Sequence, residues 1–238
     1  MQSRGQTSEP RARGFAPCAH CVVAEHCPVL MHRRQMAGSP TPAPVPESFR
    51  RLCVLQREGE RPPRLAFVKQ GLMIIRKAGP DGVAHAVAVI GPGHLLGQSA
   101  SFAMPSVFTV QAATPVAVCH FPARLLHEMA PPSAGTPGVA LRHRRMVVQT
   151  LADWSCLARL PGLMQRFETA LRLLAALQPT RPLLVPGQGV MAELLGVTRE
   201  SINRAWREAE ARGIVRHRHG QTVDLDLLRL SGPHRAPT

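Results

Sequence analysis

A helix-turn-helix pattern near the carboxyl terminus constrains the fold of this chain more than any other feature. It lies between Gly187 and Gly213, where GQGVMAELL, the turn GVT and RESINRAWREAEARG follow one another. One face of the last segment is apolar at helical spacing: Ile202, Ala205, Trp206 and Ala209. Because such a face needs a packing partner and the first segment supplies one, the sequence predicts two packed helices joined by a short turn.

The opposite face of the second helix carries the side chains suited to reading DNA. They are Arg199, Glu200, Asn203 and Arg204, in the first turn and a half after Thr198, which is suited to cap the helix. Arginine bonds guanine O6 and N7 in a fork, and a carboxylate accepts from cytosine N4. An ion pair between Glu200 and Arg204 is the alternative interpretation. Since the basic face coincides with the helix-turn-helix spacing, we favour base reading and predict double-stranded DNA as a partner.

A β-hairpin is predicted after the two helices. Residues 214–226 alternate between apolar and polar around His219-Gly220, which is typical of a hairpin. On such a wing, Arg216 and Arg218 are placed to contact phosphates. The formal net charge of the chain, +14, also suits a polyanionic partner. We therefore assign residues 163–238 to a winged helix-turn-helix domain.

The middle of the chain predicts an antiparallel β-barrel or jelly roll. Across residues 52–130, short apolar runs such as LAFVKQG and FTVQAATPVAVCHFP are separated by turns rich in glycine and proline. Before them, residues 37–46 (AGSPTPAPVP) are interpreted as a linker that cannot pair in a sheet. Residues 1–51 are thus predicted to form an arm with this linker, and the fold class is α+β.

A long helix is predicted between the two domains, within residues 131–160. Its apolar residues recur at steps of three and four, which suits a seam between two copies of the chain, although packing into a core explains the pattern nearly as well. We expect a homodimer whose interface includes Val147, Leu151, Asp153 and Trp154.

Three cysteines in the arm have the spacing of metal ligands. Cys18 and Cys21 are two residues apart, and Cys27 follows after five more, in CAHCVVAEHC. A short C-x2-C arm places two thiolates on one side of a turn. On spacing alone, an iron-sulfur cluster and zinc are equally good interpretations, and a set of reducible thiols is a third. His20 and His26 lie within the run and could serve as zinc ligands.

Composition argues against several classes of protein. Six cysteines are too few for a disulfide scaffold, and the chain has neither a long apolar run nor a secretory signal, so we expect a cytoplasmic protein without a membrane segment. No carboxylate pair, nucleophile-base set or phosphate loop accompanies the cysteines. An enzyme is therefore disfavoured.

The order of barrel, long helix and winged helix-turn-helix resembles the CRP/FNR superfamily of bacterial transcription regulators. The resemblance is carried by LLGVTRESINRAWREAEARGIV, FVKQGLMII, GPGHLLG and VCHFP, and it extends over residues 62–230. It implies a DNA-binding homodimer that contacts RNA polymerase. The cyclic-nucleotide branch of the superfamily holds its ligand with a glutamate and an arginine, but HLLGQSASFAMPSVFTVQA contains neither. We therefore expect no cyclic nucleotide.

Within this superfamily the cysteines resemble the ligands of the oxygen-responsive FNR subgroup, which hold a 4Fe-4S cluster. Cys18, Cys21 and Cys27 reproduce the spacing of that subgroup, and Cys119 in VAVCHFP matches its distant fourth ligand. The resemblance implies that the intact cluster favours the DNA-binding dimer and that oxygen converts the cluster and dissolves the dimer. Zinc in place of the cluster, or a thiol redox switch, is the alternative.

The remaining residues of interest follow from the same resemblance. Asp153 matches an acidic position that opposes dimerisation in the family, and an exposed helix carboxylate is the alternative interpretation. Cys53 and Cys156 match no ligand, so we expect Cys53 in a strand and Cys156 buried beside the long helix. Residues 28–51 are Pro-rich where the family has a helix and a strand.

The recognition helix differs from that of the FNR subgroup. Arg199, Glu200 and Arg204 resemble the R-E-x-x-x-R of the cyclic-AMP receptor. The FNR subgroup usually has a small apolar residue at the first of these positions and serine where Asn203 stands. Because the recognition helix combines features of both subgroups, we predict a preferred DNA half-site shifted from TTGAT towards TGTGA.

Overall fold

Two antiparallel sheets form a sandwich in the middle of the chain, which confirms the predicted jelly-roll class. The computed structural model describes residues 18–35, 43–128, 138–178 and 180–230. One sheet has the order β1-β8-β3-β6, with strands Val45–Phe49, Val116–Phe121, Leu65–Gln70 and Leu95–Leu96. The other has the order β2-β7-β4-β5, with strands Val54–Gln56, Thr109–Ala112, Met73–Ala78 and Ala84–Ile90.

Strands β3 and β8 are buried on both faces of their sheet. Because side chains alternate along a strand, each strand contributes to two separate apolar clusters. One cluster lies between the two sheets and includes Ala66, Val68, Val116 and Val118. The other lies on the opposite face and includes Leu65, Phe67, Cys119 and Phe121. The unbroken apolar runs LAFV and VAVC are the sequence signal of this double burial.

The arm covers the second of these faces. Two short 3-10 turns, Cys18–His20 and Ala24–His26, lead into helix α1 at Pro28–Gln35. Val23, Cys27 and Val29 of this segment are buried in the same cluster as Phe67. The arm is therefore packed against the sandwich from Val23 onward.

The expectation that residues 37–46 cannot pair in a sheet is wrong at its carboxyl end. Val45 and Pro46 belong to β1, where Pro46 lies opposite Cys119. Proline is tolerated there because β1 is an edge strand, so the missing N–H leaves no internal ladder bond unmade. With α1 and β1 both present, the Pro-rich segment 28–51 does contain a helix and a strand; residues 36–42 lie outside the described residues.

The carboxyl-terminal half is helical and ends in the predicted wing. Its helices are α2 (Leu125–Glu128), α3 (Val139–Ala158), α4 (Leu163–Ala176), α5 (Gln188–Leu195) and α6 (Arg199–Ala211). A small sheet has the order β10-β11-β9, with strands Val215–His219, Thr222–Leu225 and Leu183–Leu184. The helix-turn-helix and the hairpin around Gly220 are thus confirmed.

The core of the helix-turn-helix is built as the sequence pattern predicts. The apolar face of α6 is buried, and the ring of Trp206 meets that of Phe167 in α4 edge to face, with centroids 4.8 Å apart. The hydroxyl of Thr198 accepts the Ser201 N–H at 3.2 Å and caps the helix. Gly196 ends α5 with a φ of 63°, a left-handed conformation that glycine adopts without strain.

Gly71→Ala should destabilise the sandwich more than Gly82→Ala. Both glycines have a positive φ, 87° and 75°, but a Cβ on Gly71 would lie 2.2 Å from the Pro115 carbonyl oxygen, while nothing lies within 4 Å of one on Gly82. The left-handed backbone costs an alanine about 1–2 kcal/mol at either site, and steric overlap adds about 1–3 kcal/mol at Gly71 only. Urea unfolding of the two variants measures the difference; equal losses would contradict the close contact at Gly71.

Candidate functional site

The arm carries three of the four predicted ligands on two tight turns. The Cys21 N–H is directed at the Cys18 carbonyl at 3.4 Å, which closes the first turn. Cys27 follows the second turn, and its carbonyl accepts the Met31 N–H at 2.9 Å as α1 begins. Cys18 is exposed, Cys21 is half-buried and Cys27 is buried.

Cys119 faces this arm from the sandwich. In β8 it lies opposite Phe67 of β3, with Pro46 of β1 on its other side. Its side chain belongs to the same buried cluster as Cys27, and Cys21 packs against that cluster. The structure therefore brings the fourth predicted ligand to the face that the cysteine arm covers.

Burial raises the pKa of the two buried thiols. Desolvation raises the pKa of Cys119 to about 11, with smaller upward contributions from Cys27, Cys18 and Cys21 and a downward one from Lys69. Desolvation is also the main cause that raises the pKa of Cys27. Both groups are thus neutral thiols at neutral pH in the metal-free protein, and metal binding would release their protons.

The donor chemistry of this site fits a thiolate-ligated group. Val23, Leu95 and Phe121 surround the buried cysteines with apolar side chains, which limits the access of water. Within residues 18–35, 43–128, 138–178 and 180–230, no group of three or more histidine, cysteine, aspartate or glutamate side chains is arranged to hold a metal ion. The four cysteines share one region of the molecule without forming a preassembled ligand set.

A buried histidine joins the sandwich to α3 close to this region. His94 lies in the turn GPGHLLG, with Nδ1 3.1 Å from the Gly91 carbonyl oxygen and Nε2 3.3 Å from Thr150 Oγ1 of α3. Burial lowers its pKa to about 4. Sequence reasoning did not single out His94; a polar residue inside an apolar run was the available signal.

A second buried histidine, His143 of α3, contacts the cysteine face itself. Its ring meets Phe67 edge to face, with centroids 5.9 Å apart, and Phe67 is the neighbour of Cys119 across the ladder. The pKa of His143 is lowered to about 4, mainly by burial and to a smaller extent by nearby His94 and His26. The long helix is thus in contact with the cysteine region through aromatic and imidazole rings.

The predicted base-reading residues lie on the outer face of α6. Arg199, Glu200 and Arg204 are exposed, and Asn203 is half-buried. Arg204 Nη2 donates to Ser201 Oγ at 3.2 Å. Backbone hydrogen bonding at the helix start is the main cause that lowers the pKa of Glu200. Glu200 is therefore an ionised acceptor at neutral pH.

The two wing arginines are exposed but braced by the protein. Arg216 Nη2 donates to Asp226 Oδ2 at 2.8 Å. The Arg218 guanidinium lies over the Trp206 ring, 4.8 Å from its centroid. The second of these contacts holds the wing beside α6, which is the position required for contacts to flanking phosphates.

The four residues predicted for the dimer seam differ in how deeply they are buried in the protomer. Trp154 is 4% exposed and lies in the protomer's own core, against which Leu151 also packs. Val147 and Asp153 are half-buried. Among the α3 side chains that the structure describes, two large apolar ones are exposed: Leu141 and Val148, one heptad apart, at 57% and 65% exposure.

Cys53 and Cys156, which have no predicted role, lie outside the apolar cluster that contains Cys27 and Cys119. Cys156 is exposed, which corrects the expectation that it is buried: it lies near the end of α3 and lines a groove with Asp153, Leu160 and Arg172. Cys53 is half-buried and lies immediately before β2, where its carbonyl accepts the Ala112 N–H at 2.9 Å.

Two family models match the chain in the order that the fold displays. The cyclic nucleotide-binding domain matches residues 46–130, and the Crp-like helix-turn-helix domain matches residues 165–231. Together they cover more than half of the chain. The chain belongs to the CRP/FNR family of transcription regulators. Regulators of this family bind DNA and function as dimers, and they are not enzymes.

Solved structures of other proteins share the fold of the regulator. FixK2 from Bradyrhizobium japonicum has a TM-score of 0.65 at 19% identity, covering 82% of the regulator and 100% of FixK2. TTHB099, a CRP-family transcriptional regulator from Thermus thermophilus, has a TM-score of 0.57 at 20% identity, covering 77% and 94%. No curated protein sequence matches the regulator at a significant level. Among the described residues, the regulator has no helix with the length and apolar character needed to cross a membrane.

Two polar side chains in the segment where the cyclic-nucleotide branch would hold its ligand donate to backbone carbonyls of the protein itself, while Gln98 Oε1 is buried without a hydrogen-bond partner among the described residues. Between His94 and Ala112 there is no carboxylate and no arginine. Gln98 Nε2 donates to the Leu95 carbonyl at 3.2 Å, and Ser106 Oγ donates to the Phe108 carbonyl at 2.6 Å. The absence of a cyclic nucleotide ligand therefore stays our prediction for this regulator.

Lowering the pH through the range from about 6.5 to about 4 should weaken the fold through His94 and His143. Both rings are buried with a pKa of about 4, whereas unfolded histidines titrate near 6.5, so the unfolded chain binds more protons within this window. Stability is then lost as the pH falls from the unfolded pKa to the folded one, by at most about 3 kcal/mol for each ring.

Urea unfolding of the metal-free regulator across this window tests the effect. His143→Leu should flatten the pH dependence, because it removes one of the two titrating rings. His219→Ala, at an exposed position of the wing, is the matched control and should keep the wild-type slope. An unchanged slope in His143→Leu would contradict the assignment.

Proposed function

We propose that the regulator senses oxygen through a 4Fe-4S cluster held by Cys18, Cys21, Cys27 and Cys119, and that it binds a palindromic DNA site as a dimer when the cluster is intact. The supporting observation is the position of Cys119. It belongs to the same buried apolar cluster as Cys27, on the sheet face that the arm covers. A cysteine fixed in a strand and three on an arm that packs over it are suited to a shared group.

Shared ligation would fasten the arm to the sandwich. Cys119 is fixed by ladder pairing on both sides, whereas Cys18 is exposed and Cys21 is half-buried on the short turns of the arm. When bound, a 4Fe-4S cluster supplies oxygen-reactive iron and sulfide, which thiols alone lack. The four cysteine residues would hold the arm in place only while all of them are engaged.

The fastened arm would act on α3, because the two are already in contact. Ala140 of α3 packs against the apolar cluster that contains Cys27. A Cβ built on Gly93 would lie 3.6 Å from the His26 ring and 3.7 Å from Met146 of α3, so the arm, the turn and the helix converge there. Fixing the arm would fix this part of α3, which carries the exposed Leu141 and Val148 that a second copy would cover.

The output of this arrangement would be recognition of DNA by two copies of α6. The residues proposed to read bases are Arg199, Glu200, Asn203 and Arg204, with Arg216 and Arg218 on flanking phosphates. We also propose RNA polymerase as the partner of the DNA-bound dimer and the cytoplasm as its location, in keeping with transcription regulation.

The regulator purified without oxygen should contain about four iron and four sulfide per chain, with visible charge-transfer absorption that air removes. Cys119→Ser should lose most of this iron, because it deletes the ligand fixed in the sandwich. Cys53→Ser is the matched control and should keep wild-type iron, since Cys53 lies apart from the site. Measurement of iron, sulfide and zinc in the three proteins gives the outcome.

Each alternative gives a different metal content. A colourless, iron-free protein that contains zinc would replace the cluster with a zinc site. A metal-free protein whose cysteines form a disulfide in air would indicate a thiol switch. Equal iron in Cys119→Ser and the wild type would remove Cys119 from the ligand set.

The preferred half-site should be closer to TGTGA than to TTGAT. Arg199 is exposed at the start of α6 and able to contact a guanine, and such a contact discriminates by about 1–3 kcal/mol. Selection of bound sequences from a random pool should yield the shifted half-site, and Arg199→Val should move the preference back towards TTGAT. Arg216→Ala should weaken binding to all sequences alike. Strict selection of TTGAT by the wild type would contradict this prediction.

A further inference from the structure

A bidentate ion pair ties the sandwich to the first helix of the helix-turn-helix. Arg76 of β4 donates from Nη1 to Glu193 Oε1 at 2.6 Å and from Nη2 to Glu193 Oε2 at 2.9 Å. The Ala86 N–H of β5 donates to the same Oε1 at 2.6 Å. Glu193 of α5 therefore accepts three hydrogen bonds from two neighbouring strands of the other domain.

The ion pair is held rigidly on the sandwich side. Arg76 Nε donates to Gln111 Oε1 of β7 at 3.3 Å, and Nη1 also lies 3.3 Å from the Ala84 carbonyl oxygen. The two side chains are 19% and 30% exposed. A partly buried, bidentate pair whose guanidinium is braced on a sheet fixes orientation much better than a solvated surface pair.

A second contact joins the same two domains at a separate point. Gln221, in the turn of the wing, donates from Nε2 to the Ala113 carbonyl of the sandwich at 3.0 Å and to the Val185 carbonyl at 3.0 Å. Two contacts at different positions restrain the rotation of the two domains relative to one another as well as the distance between them. Arg76 and Gln221 together therefore hold the helix-turn-helix at one angle to the sandwich.

The restraint on α5 passes directly to the recognition helix. Met191, Leu194 and Leu195 of α5 are buried in the core that contains the apolar face of α6. The polar face of α6 stays open, since Arg199, Glu200 and Arg204 are exposed. The ion pair thus holds the helix that reads DNA without covering it.

We propose that Arg76 is a positioning residue for DNA recognition, acting through Glu193 to set the angle of α6 relative to the sandwich of each protomer. In a dimer, two recognition helices bind a palindrome together only when their separation matches that of the half-sites. Arg76 therefore sets the half-site spacing that the dimer accepts. The proposal rests on DNA binding by a dimer and is independent of what the cysteines hold.

The test compares variants on three kinds of DNA under oxygen-free conditions. The variants are Arg76→Ala, Glu193→Ala and the double substitution. Lys77→Ala is the matched control, because the adjacent Lys77 pairs at the surface with Glu58 of the same domain. The DNAs are the palindrome selected by the wild type, the same palindrome with its spacer altered by one or two base pairs, and a single half-site.

Arg76→Ala and Glu193→Ala should each lower the affinity for the selected palindrome about tenfold, the size of a typical coupling between sites. They should bind the single half-site within about twofold of the wild type and lose most of the preference for one spacing. The double variant should match either single variant, because the two residues act as one unit. Lys77→Ala should behave as the wild type.

Three results would overturn the proposal. Wild-type affinity and spacing preference in Arg76→Ala would show that the ion pair positions nothing. Tighter binding would show that it opposes recognition, and an equal loss on the half-site would show damage to the DNA-binding domain itself. Glu193→Gln, which keeps an acceptor for the Ala86 N–H, provides the same comparison if an alanine variant does not fold. Iron content measured on the same samples separates these results from a failure of the cluster proposal.

Discussion

The rest of the structure depends on the burial of β3 and β8 on both faces. One face of these strands builds the interior of the sandwich, and the other needs a cover, which the arm and α3 provide. Cys119 lies on the covered face because side chains alternate along β8. A single-residue shift in register would direct it into the sandwich and away from the arm. The register that buries both faces of β8 therefore also decides where the proposed fourth ligand lies.

Helix α3 connects this covered face to the rest of the molecule. His143 contacts Phe67 beside Cys119. About two turns further along α3, Thr150 is hydrogen-bonded to His94 of the sandwich. Beyond these residues, Trp154 and Leu157 enter the core that continues through α4 into the helix-turn-helix. Arg76 and Glu193 then fix that module to the sandwich at a separate point. The sheet face that carries Cys119 and the recognition helix are therefore linked by continuous packing and hydrogen bonds within each protomer.

Local patterns predicted much of this architecture from the sequence, and long-range contacts account for what was missed. The helix-turn-helix followed from periodicity because α5 and α6 bury their faces against near neighbours in the sequence. Periodicity on α3 did not distinguish an apolar residue facing the core from one facing a partner, so Trp154 was assigned to a seam although it is buried. The strand at Val45 was missed because two prolines masked it, and the Arg76–Glu193 pair joins residues that no local pattern relates. Cys119 was found only through a family resemblance.

The central claim is that the cysteine region controls DNA binding, and the most direct measurement is the affinity of one sample for its palindrome before and after exposure to air. The account predicts tight binding by the wild type without oxygen, a loss of about tenfold or more in air, and weak binding by Cys119→Ser in both conditions. Equal affinity of the wild type with and without oxygen, or wild-type affinity in Cys119→Ser, would contradict it.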